Sequence, residues 1–220
     1  MRRFLRQNGL SIVLLGSFLV LLFGQSWAGW YEYNDEQVER HESTIGYFAY
    51  LNSHHFWEAT TENWESEFFQ MAIYVVLTSF LFQRGSSESK KLDEPNPQDE
   101  DPREHRIKPD APWPVRRGGW VLKVYEYSLG LAFILLFLIS FLGHAISGRR
   151  LYNEEQLAVG KEPVDLLGYM GSSRFWFESL QNWQSEFLAV ASIVLLSIWL
   201  RHRGSPESKP VAAPHKETGD

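Results

Sequence analysis

The sequence predicts an all-α membrane protein with four transmembrane helices, arranged as two parallel tandem helical hairpins. Three observations predict this class. Apolar residues are concentrated in four blocks of the 220-residue chain, the chain aligns with itself without a gap after a shift of 119 positions, and basic residues cluster in alternate connecting segments. The mean hydropathy of −0.27 resembles that of a soluble protein. That average hides the pattern, because charged connections offset the apolar blocks.

The first and third spans are predicted over residues 10–28 and 127–147, which contain no Asp, Glu, Lys or Arg. At about 1.5 Å of rise per residue, each is long enough to cross a hydrocarbon core of roughly 30 Å. The basic N-terminus followed by Ser26-Trp27-Ala28 also resembles a secretory signal peptide. We expect the first helix to be retained, because it is long for a signal peptide and its counterpart in the second half of the chain cannot be one.

The second and fourth spans are predicted over residues 64–83 and 183–202, where the purely apolar cores are shorter. Their aliphatic residues cover every helical face, whereas a surface helix of a soluble protein keeps a polar face. No Gly or Pro interrupts either segment, and each ends next to an arginine. Counting back about 20 residues from each arginine, the length that a bilayer requires, reaches a tryptophan. The predicted interface anchors are therefore Trp64, Trp183, Arg84 and Arg203.

The distribution of positive charge predicts the orientation. Roughly 16 of the 21 Lys and Arg residues lie in the N-terminal segment, the central linker and the C-terminal tail, or at the helix ends beside them. The positive-inside rule places these three segments, and so both termini, in the cytoplasm. The two remaining connections then face outward, and both are rich in Asp and Glu.

Identical residues 119 positions apart indicate an internal duplication. The longest matching segments are NWESEF over residues 63–68 against NWQSEF over residues 182–187, and RGSSESK from residue 84 against RGSPESK from residue 203. Because each copy crosses the membrane twice, both copies have the same orientation. The repeats are therefore parallel, unlike the inverted repeats of many transporters.

The duplication divides the chain into four regions: a first hairpin over residues 1–84, a linker over 85–118, a second hairpin over 119–203 and a tail over 204–220. The linker contains six prolines and dense charge of both signs. Such a composition cannot bury an apolar core. We expect the linker and the tail to be disordered and cytoplasmic.

The duplicated hexapeptide predicts a layer of polar side chains near the outer membrane face. If its tryptophan lies at the interface, the glutamate three residues later lies roughly 4.5 Å deeper, where a carboxylate needs partners inside the bundle. Gln25 and His144 lie at a comparable depth on the first and third helices. We hypothesise that Glu186 pairs with His144 and Glu67 with Gln25, or crosswise between the copies. The predicted layer consists of Glu67, Glu186, His144, Gln25, Asn63 and Asn182.

Two roles remain open for this layer: hydrogen bonding that holds helices together, and a proton or ion pathway. We favour the first, because the polar residues form one layer and no chain through the core. Small residues at helical spacing also predict close packing of the first and third helices. These packing positions are Gly24, Ala28, Gly143 and Ser147.

Chemistry that requires a metal or a nucleophile finds little support. The chain has no cysteine and therefore no thiolate. His54 and Glu58, with His55 and Glu62, could bind zinc on a helix face, but the second copy lacks these residues, and a solvated face is the favoured interpretation. We predict no metal, no cofactor, no catalytic residue and no nucleic-acid partner.

The segments RFLRQNGLSIVLLG, GQSWAGWYEYNDEQ and NWESEFFQMAIYVVLTSFLFQRGSSESK, together with NWQSEF in the second copy, resemble a bacterial family of small four-helix membrane proteins of unknown function. The resemblance covers nearly the whole chain. It implies a multi-pass protein of the bacterial inner membrane, and it implies no activity.

The expected function is that of a non-enzymatic scaffold or interaction module in the cell envelope. Its expected partners are the lipid bilayer and either another membrane protein or a second copy of the chain. The alternative is a small ion or proton channel or carrier that uses the polar layer. A membrane-embedded enzyme with an outward metal site is the third hypothesis.

Overall fold

The computed structural model describes residues 2–219, and these residues form helices and turns without any strand. The long helices are α1 (Arg2–Glu39), α3 (His54–Phe80), α6 (Ser128–Ala158) and α8 (Ser173–Leu196). The short helices are α2 (Tyr47–Tyr50), α4 (Trp113–Arg117), α5 (Gly119–Glu126) and α7 (Leu166–Met170), with 3-10 helices at Pro97–Asp99 and Pro102–His105. The prediction of an all-α fold is confirmed.

Two helices of the described chain, α1 and α6, are long and apolar enough to cross a membrane. They contain the first and third predicted spans. The prediction of four spans is not confirmed, because α3 and α8 do not reach the same combination of length and hydropathy. A helical span of the membrane needs about 20 residues. Because α3 ends at Phe80, a span of that length within α3 includes Glu65 and Glu67.

The helices α3 and α8 end earlier than predicted, and serine side chains bond to the backbone beyond each end. The backbone N–H of Gln83 donates to Ser89 Oγ at 2.9 Å, and the backbone N–H of His202 donates to Ser208 Oγ at 2.9 Å. A serine hydroxyl that takes a backbone donor competes with the helical ladder. The last helical residues are Phe80 and Leu196, so both helices end before the arginine predicted to mark their inner end. The two contacts involve positions 119 residues apart.

The segment between α3 and α6 contains short elements rather than one long helix. Gly118, with a φ of 71°, separates α4 from α5, a left-handed conformation that glycine adopts without steric cost. Ala111, Val115 and Leu122 form a small buried apolar cluster across this break. The predicted disorder of residues 85–118 and 204–220 concerns motion and stays a prediction.

The described chain divides into two compact units. The first unit contains the residues up to Thr61 together with Gly143–Met170, and the second contains Glu62–Leu142 and the residues from Gly171 onward. The two connections predicted to face outward lie in the first unit. They are residues 40–53 between α1 and α3 and residues 159–170 after α6, and we call them the outer connections. The duplicated hexapeptides and the segments that follow α3 and α8 lie in the second.

Candidate functional site

Polar side chains of α3 and α8 bond to each other in the second unit. Glu65 is fully buried, and its Oε1 accepts a hydrogen bond from Trp183 Nε1 at 3.0 Å. Asn182 Nδ2 donates to Glu62 Oε1 at 2.6 Å. One turn further along α3, Gln70 Nε2 donates to a backbone carbonyl of α8 at 2.6 Å. We call these three hydrogen bonds the α3–α8 polar contact.

Helical spacing explains why these side chains share one face of α3. Residues three and four apart are neighbours on a helix surface, so Glu62, Glu65 and Phe69 form a continuous stripe. Phe69 lies against the Trp183 ring, with 4.4 Å between ring centroids, and 5.1 Å from the Phe137 ring. Aromatic pairs at such distances stabilise a packed interface. The carboxylate of Glu65, one turn before Phe69, is buried and accepts its hydrogen bond from the Trp183 indole in place of water.

The predicted polar layer is distributed differently. Glu67 is exposed and Glu186 is half-buried, and the backbone carbonyl of Glu186 is the acceptor for Gln70. In the first unit, Gln25 Nε2 donates to Thr60 Oγ1 at 3.4 Å, and His144 is completely buried. The proposed Glu186–His144 and Glu67–Gln25 pairs join residues of different units, and these pairings stay predictions.

The two asparagines of the predicted layer belong to the second unit and differ in burial. Asn182 takes part in the α3–α8 polar contact, whereas Asn63, its counterpart in the first copy, is exposed. The corresponding asparagines of the two motifs therefore have different surroundings.

Glu62 and Glu65 are components of this contact that the predicted layer does not include. The layer consists largely of positions that match between the two copies, whereas these two glutamates correspond to Gln181 and Gln184. The stripe formed by residues 62, 65 and 69 on one helix face was the available signal. The partner on α8 could not be inferred without knowing which faces meet.

The predicted anchors and packing residues occupy several environments. Trp64 is half-buried, while Arg203 and Ala28 are exposed. Arg84 is exposed, with its Nη2 3.8 Å from Asp93 Oδ2. The small residues differ from one another: a side chain at Gly24 would meet nothing within 4 Å, Gly143 lies against Thr61, and Ser147 is buried. Packing of α1 on α6 through these positions stays a prediction.

In the first unit, an asparagine holds the outer connection of each hairpin. Asn34 Nδ2 donates to the backbone carbonyl of Ile45 at 3.0 Å, and its Oδ1 accepts from the Ile45 N–H at 2.8 Å. Asn153 makes the same pair of bonds with Val164, at 2.9 Å and 2.8 Å. The side-chain amide thus satisfies a backbone donor and acceptor that would otherwise lack partners outside regular structure.

A buried tyrosine lies against a glycine in each outer connection. A Cβ atom at Gly29 would collide with the hydroxyl of Tyr50, and one at Gly148 would collide with Tyr169. Tyr50 and Tyr169 are 2 % and 0 % exposed. Only a glycine permits such close approach of a ring to the helix backbone. These two Gly–Tyr contacts, 119 residues apart, fix each connection to the helix that precedes it.

Tyr50 predicts a loss of stability at high pH. Burial, and secondarily the charge of Glu32, raise the pKa of Tyr50 from 10.0 to about 12. The Tyr50 hydroxyl therefore loses its proton at a lower pH in the unfolded chain than in the folded chain. The stability that the protonated hydroxyl contributes to the folded chain is complete below about pH 10 and disappears as the pH rises towards 12. We expect Tyr50→Phe to lose less stability over that interval, measured as Tm in mild detergent. Parallel curves for the two proteins would contradict the assignment.

The two histidines proposed as zinc ligands have other neighbours. His55 Nδ1 lies 3.2 Å from the hydroxyl of Tyr50, and His54 Nε2 lies 3.4 Å from Arg150 Nη1. A guanidinium beside the ring nitrogen of His54 opposes a second cation at that atom. The contacts of both histidines are consistent with a role in holding the outer connection.

Comparison with known proteins identifies the family and no activity. A family model described as a domain of unknown function (DUF6766) matches residues 1–220. No curated protein and no solved structure shows significant similarity to the chain. The family match agrees with the resemblance to an uncharacterised family, whereas bacterial origin and membrane location stay predictions. The chain belongs to the DUF6766 family of unknown function.

Proposed function

We propose that this chain is a multi-pass membrane protein with four spanning helices, acting as a non-enzymatic scaffold or interaction module. The observation that carries the membrane location is the apolar surface of α1. Only 6 % of its most apolar stretch is buried, and consecutive side chains such as Leu19, Val20 and Leu21 are all more than 60 % exposed. Contiguous apolar surface of this extent is unfavourable in water and favourable in hydrocarbon.

The second and fourth spans are supported by apolar surface that continues past the ends of α3 and α8. Exposed apolar side chains occupy the last turns of both helices and the residues just beyond them. They are Val76, Phe80, Leu81 and Phe82 in the first copy, and Leu195, Leu196, Trp199 and Leu200 in the second. Backbone groups beyond the helices bond to serine hydroxyls. Irregular backbone at membrane depth requires such internal partners. We propose that the chain lies in a bacterial inner membrane, with both termini in the cytoplasm.

The α3–α8 polar contact supports a scaffold rather than a transporter. Its carboxylates accept hydrogen bonds from Trp183 and Asn182, so they stabilise the contact between helices. Interhelical hydrogen bonds of this kind hold membrane bundles together. A proton relay would instead need a series of ionisable groups along a path through the membrane.

The channel or carrier alternative is favoured by one observation, the complete burial of the ionisable side chain of His144. Proteoliposomes that contain a pH-sensitive dye distinguish the two functions. The scaffold predicts a proton leak equal to that of protein-free liposomes, for the natural chain and for a variant with Glu67→Gln and Glu186→Gln. The alternative predicts a proton leak above the lipid control for the natural chain. It also predicts that the double variant, although folded, shows no such leak.

A further inference from the structure

The C-terminal halves of α3 and α8 form an apolar groove in the second unit. The helices contact each other at the α3–α8 polar contact, and the segments that follow them meet where Ser86 Oγ lies 3.0 Å from Ser197 Oγ. Between these contacts lies a groove of about 300 Å³, a volume at the lower end of the range for small-molecule sites. Its apolar walls include Leu77, Leu81, Phe187, Val190, Ala191 and Val194.

One end of the groove carries a carboxylate. Glu88 accepts a hydrogen bond from the Tyr74 hydroxyl at 2.9 Å and another from Ser87 Oγ at 3.3 Å. In the part of the chain that the structure describes, Glu88 forms no salt bridge. Ser87 Oγ also lies 3.1 Å from the backbone carbonyl oxygen of Glu207, so its single proton is shared between two acceptors.

The nearby lysines do not neutralise Glu88, because each has a carboxylate of its own. Lys90 Nζ lies 2.6 Å from Asp99 Oδ1, and Lys91 Nζ lies 3.4 Å from Glu94 Oε2. The mouth of the groove therefore keeps a net negative charge. A cationic group at this position would be attracted, and an anionic group would be repelled.

We propose that the groove holds an acyl chain of a phosphatidylethanolamine lipid, with the primary ammonium of its headgroup bound to Glu88. An acyl chain matches the apolar walls, and an ammonium offers three donors for a charge-assisted hydrogen bond to the carboxylate. Lipids with the same chains but an anionic headgroup lack that donor. The inference rests on the proposed membrane location, since a bilayer supplies the lipid at high concentration.

Native mass spectrometry of the full chain in mild detergent tests the proposal. We expect several-fold higher occupancy by phosphatidylethanolamine than by phosphatidylglycerol with identical acyl chains, added at equal concentration. Glu88→Gln should abolish this preference, while Glu104→Gln, at an exposed position away from the groove, should preserve it. Equal occupancy by the two lipids, or a preference that Glu88→Gln leaves unchanged, would overturn the proposal.

A second pair of variants tests the groove itself. Ala191→Phe places a ring inside the groove and should reduce the binding of both lipids, whereas Ala189→Phe lies outside its lining and should not. If both substitutions act equally, the lipid binds elsewhere and the proposal fails. Alkaline carbonate extraction separates this failure from failure of the membrane location: a chain that leaves the membrane refutes both, and a chain that stays without lipid preference refutes only the groove.

Discussion

Trp183→Ala is expected to lower the free energy of unfolding by about 3–5 kcal/mol, the usual cost of truncating a packed Trp to Ala. The indole packs on Phe69 and Phe137, and its N–H donates to the buried carboxylate of Glu65. Removing the ring therefore leaves a cavity and takes a donor from a buried acceptor. The measurement is Tm and denaturant unfolding in mild detergent.

Trp199→Ala is the matched control, because this tryptophan is 58 % exposed and lies beyond the end of α8. We expect it to change the unfolding free energy by less than about 1 kcal/mol, as substitutions away from packed sites usually do. Trp183→Phe should fall between the two, since it keeps a ring but loses the N–H donor. Equal effects of the two alanine substitutions would contradict the importance of the α3–α8 contact.

Gly29→Ala is expected to destabilise the first outer connection by about 1–3 kcal/mol, a typical cost of overpacking. The new methyl carbon would collide with the hydroxyl oxygen of Tyr50, whereas the ring carbon that carries this hydroxyl would lie 3.2 Å away. Adding Tyr50→Phe removes the colliding oxygen, so the double variant should recover part of the loss. Unfolding measurements on the single and double variants form a thermodynamic cycle.

The same helix supplies a control for this effect. Gly24→Ala should leave the stability unchanged or raise it slightly, because no atom lies within 4 Å of the new Cβ and alanine favours helix. If Gly24→Ala destabilises as much as Gly29→Ala, the loss comes from α1 itself and the Gly29–Tyr50 contact is not its cause.

The helical architecture was predictable from local patterns, and the site was not. Uninterrupted apolar blocks indicate α1 and α6 because length and hydropathy are properties of neighbouring residues. The backbone beyond α3 and α8 bonds to Ser89 and Ser208, each of which reaches back to a residue six positions earlier. The burial of Glu65 depends on which face of α8 it meets. Helix propensity gives no information about either contact.

The duplication does not indicate which residues form the α3–α8 polar contact. Positions identical in both copies appeared most informative, yet Glu67 is exposed, and the buried carboxylate belongs to Glu65, where the second copy has Gln184. A contact between two related but different helices needs complementary residues, and complementarity appears as a difference between copies. The asparagines at 34 and 153, by contrast, hold equivalent connections and stay identical.

Single-cysteine accessibility in intact cells tests the four-span topology most directly, because the natural chain has no cysteine. Suitable exposed positions are Phe48, Ile107, Leu167 and Val211. With a membrane-impermeant maleimide, four spans predict labelling of Phe48→Cys and Leu167→Cys from outside, and of Ile107→Cys and Val211→Cys only after permeabilisation. If α1 and α6 alone crossed the membrane, Ile107→Cys would label from outside and Leu167→Cys would not. That second pattern would contradict the two-hairpin membrane protein proposed for this chain.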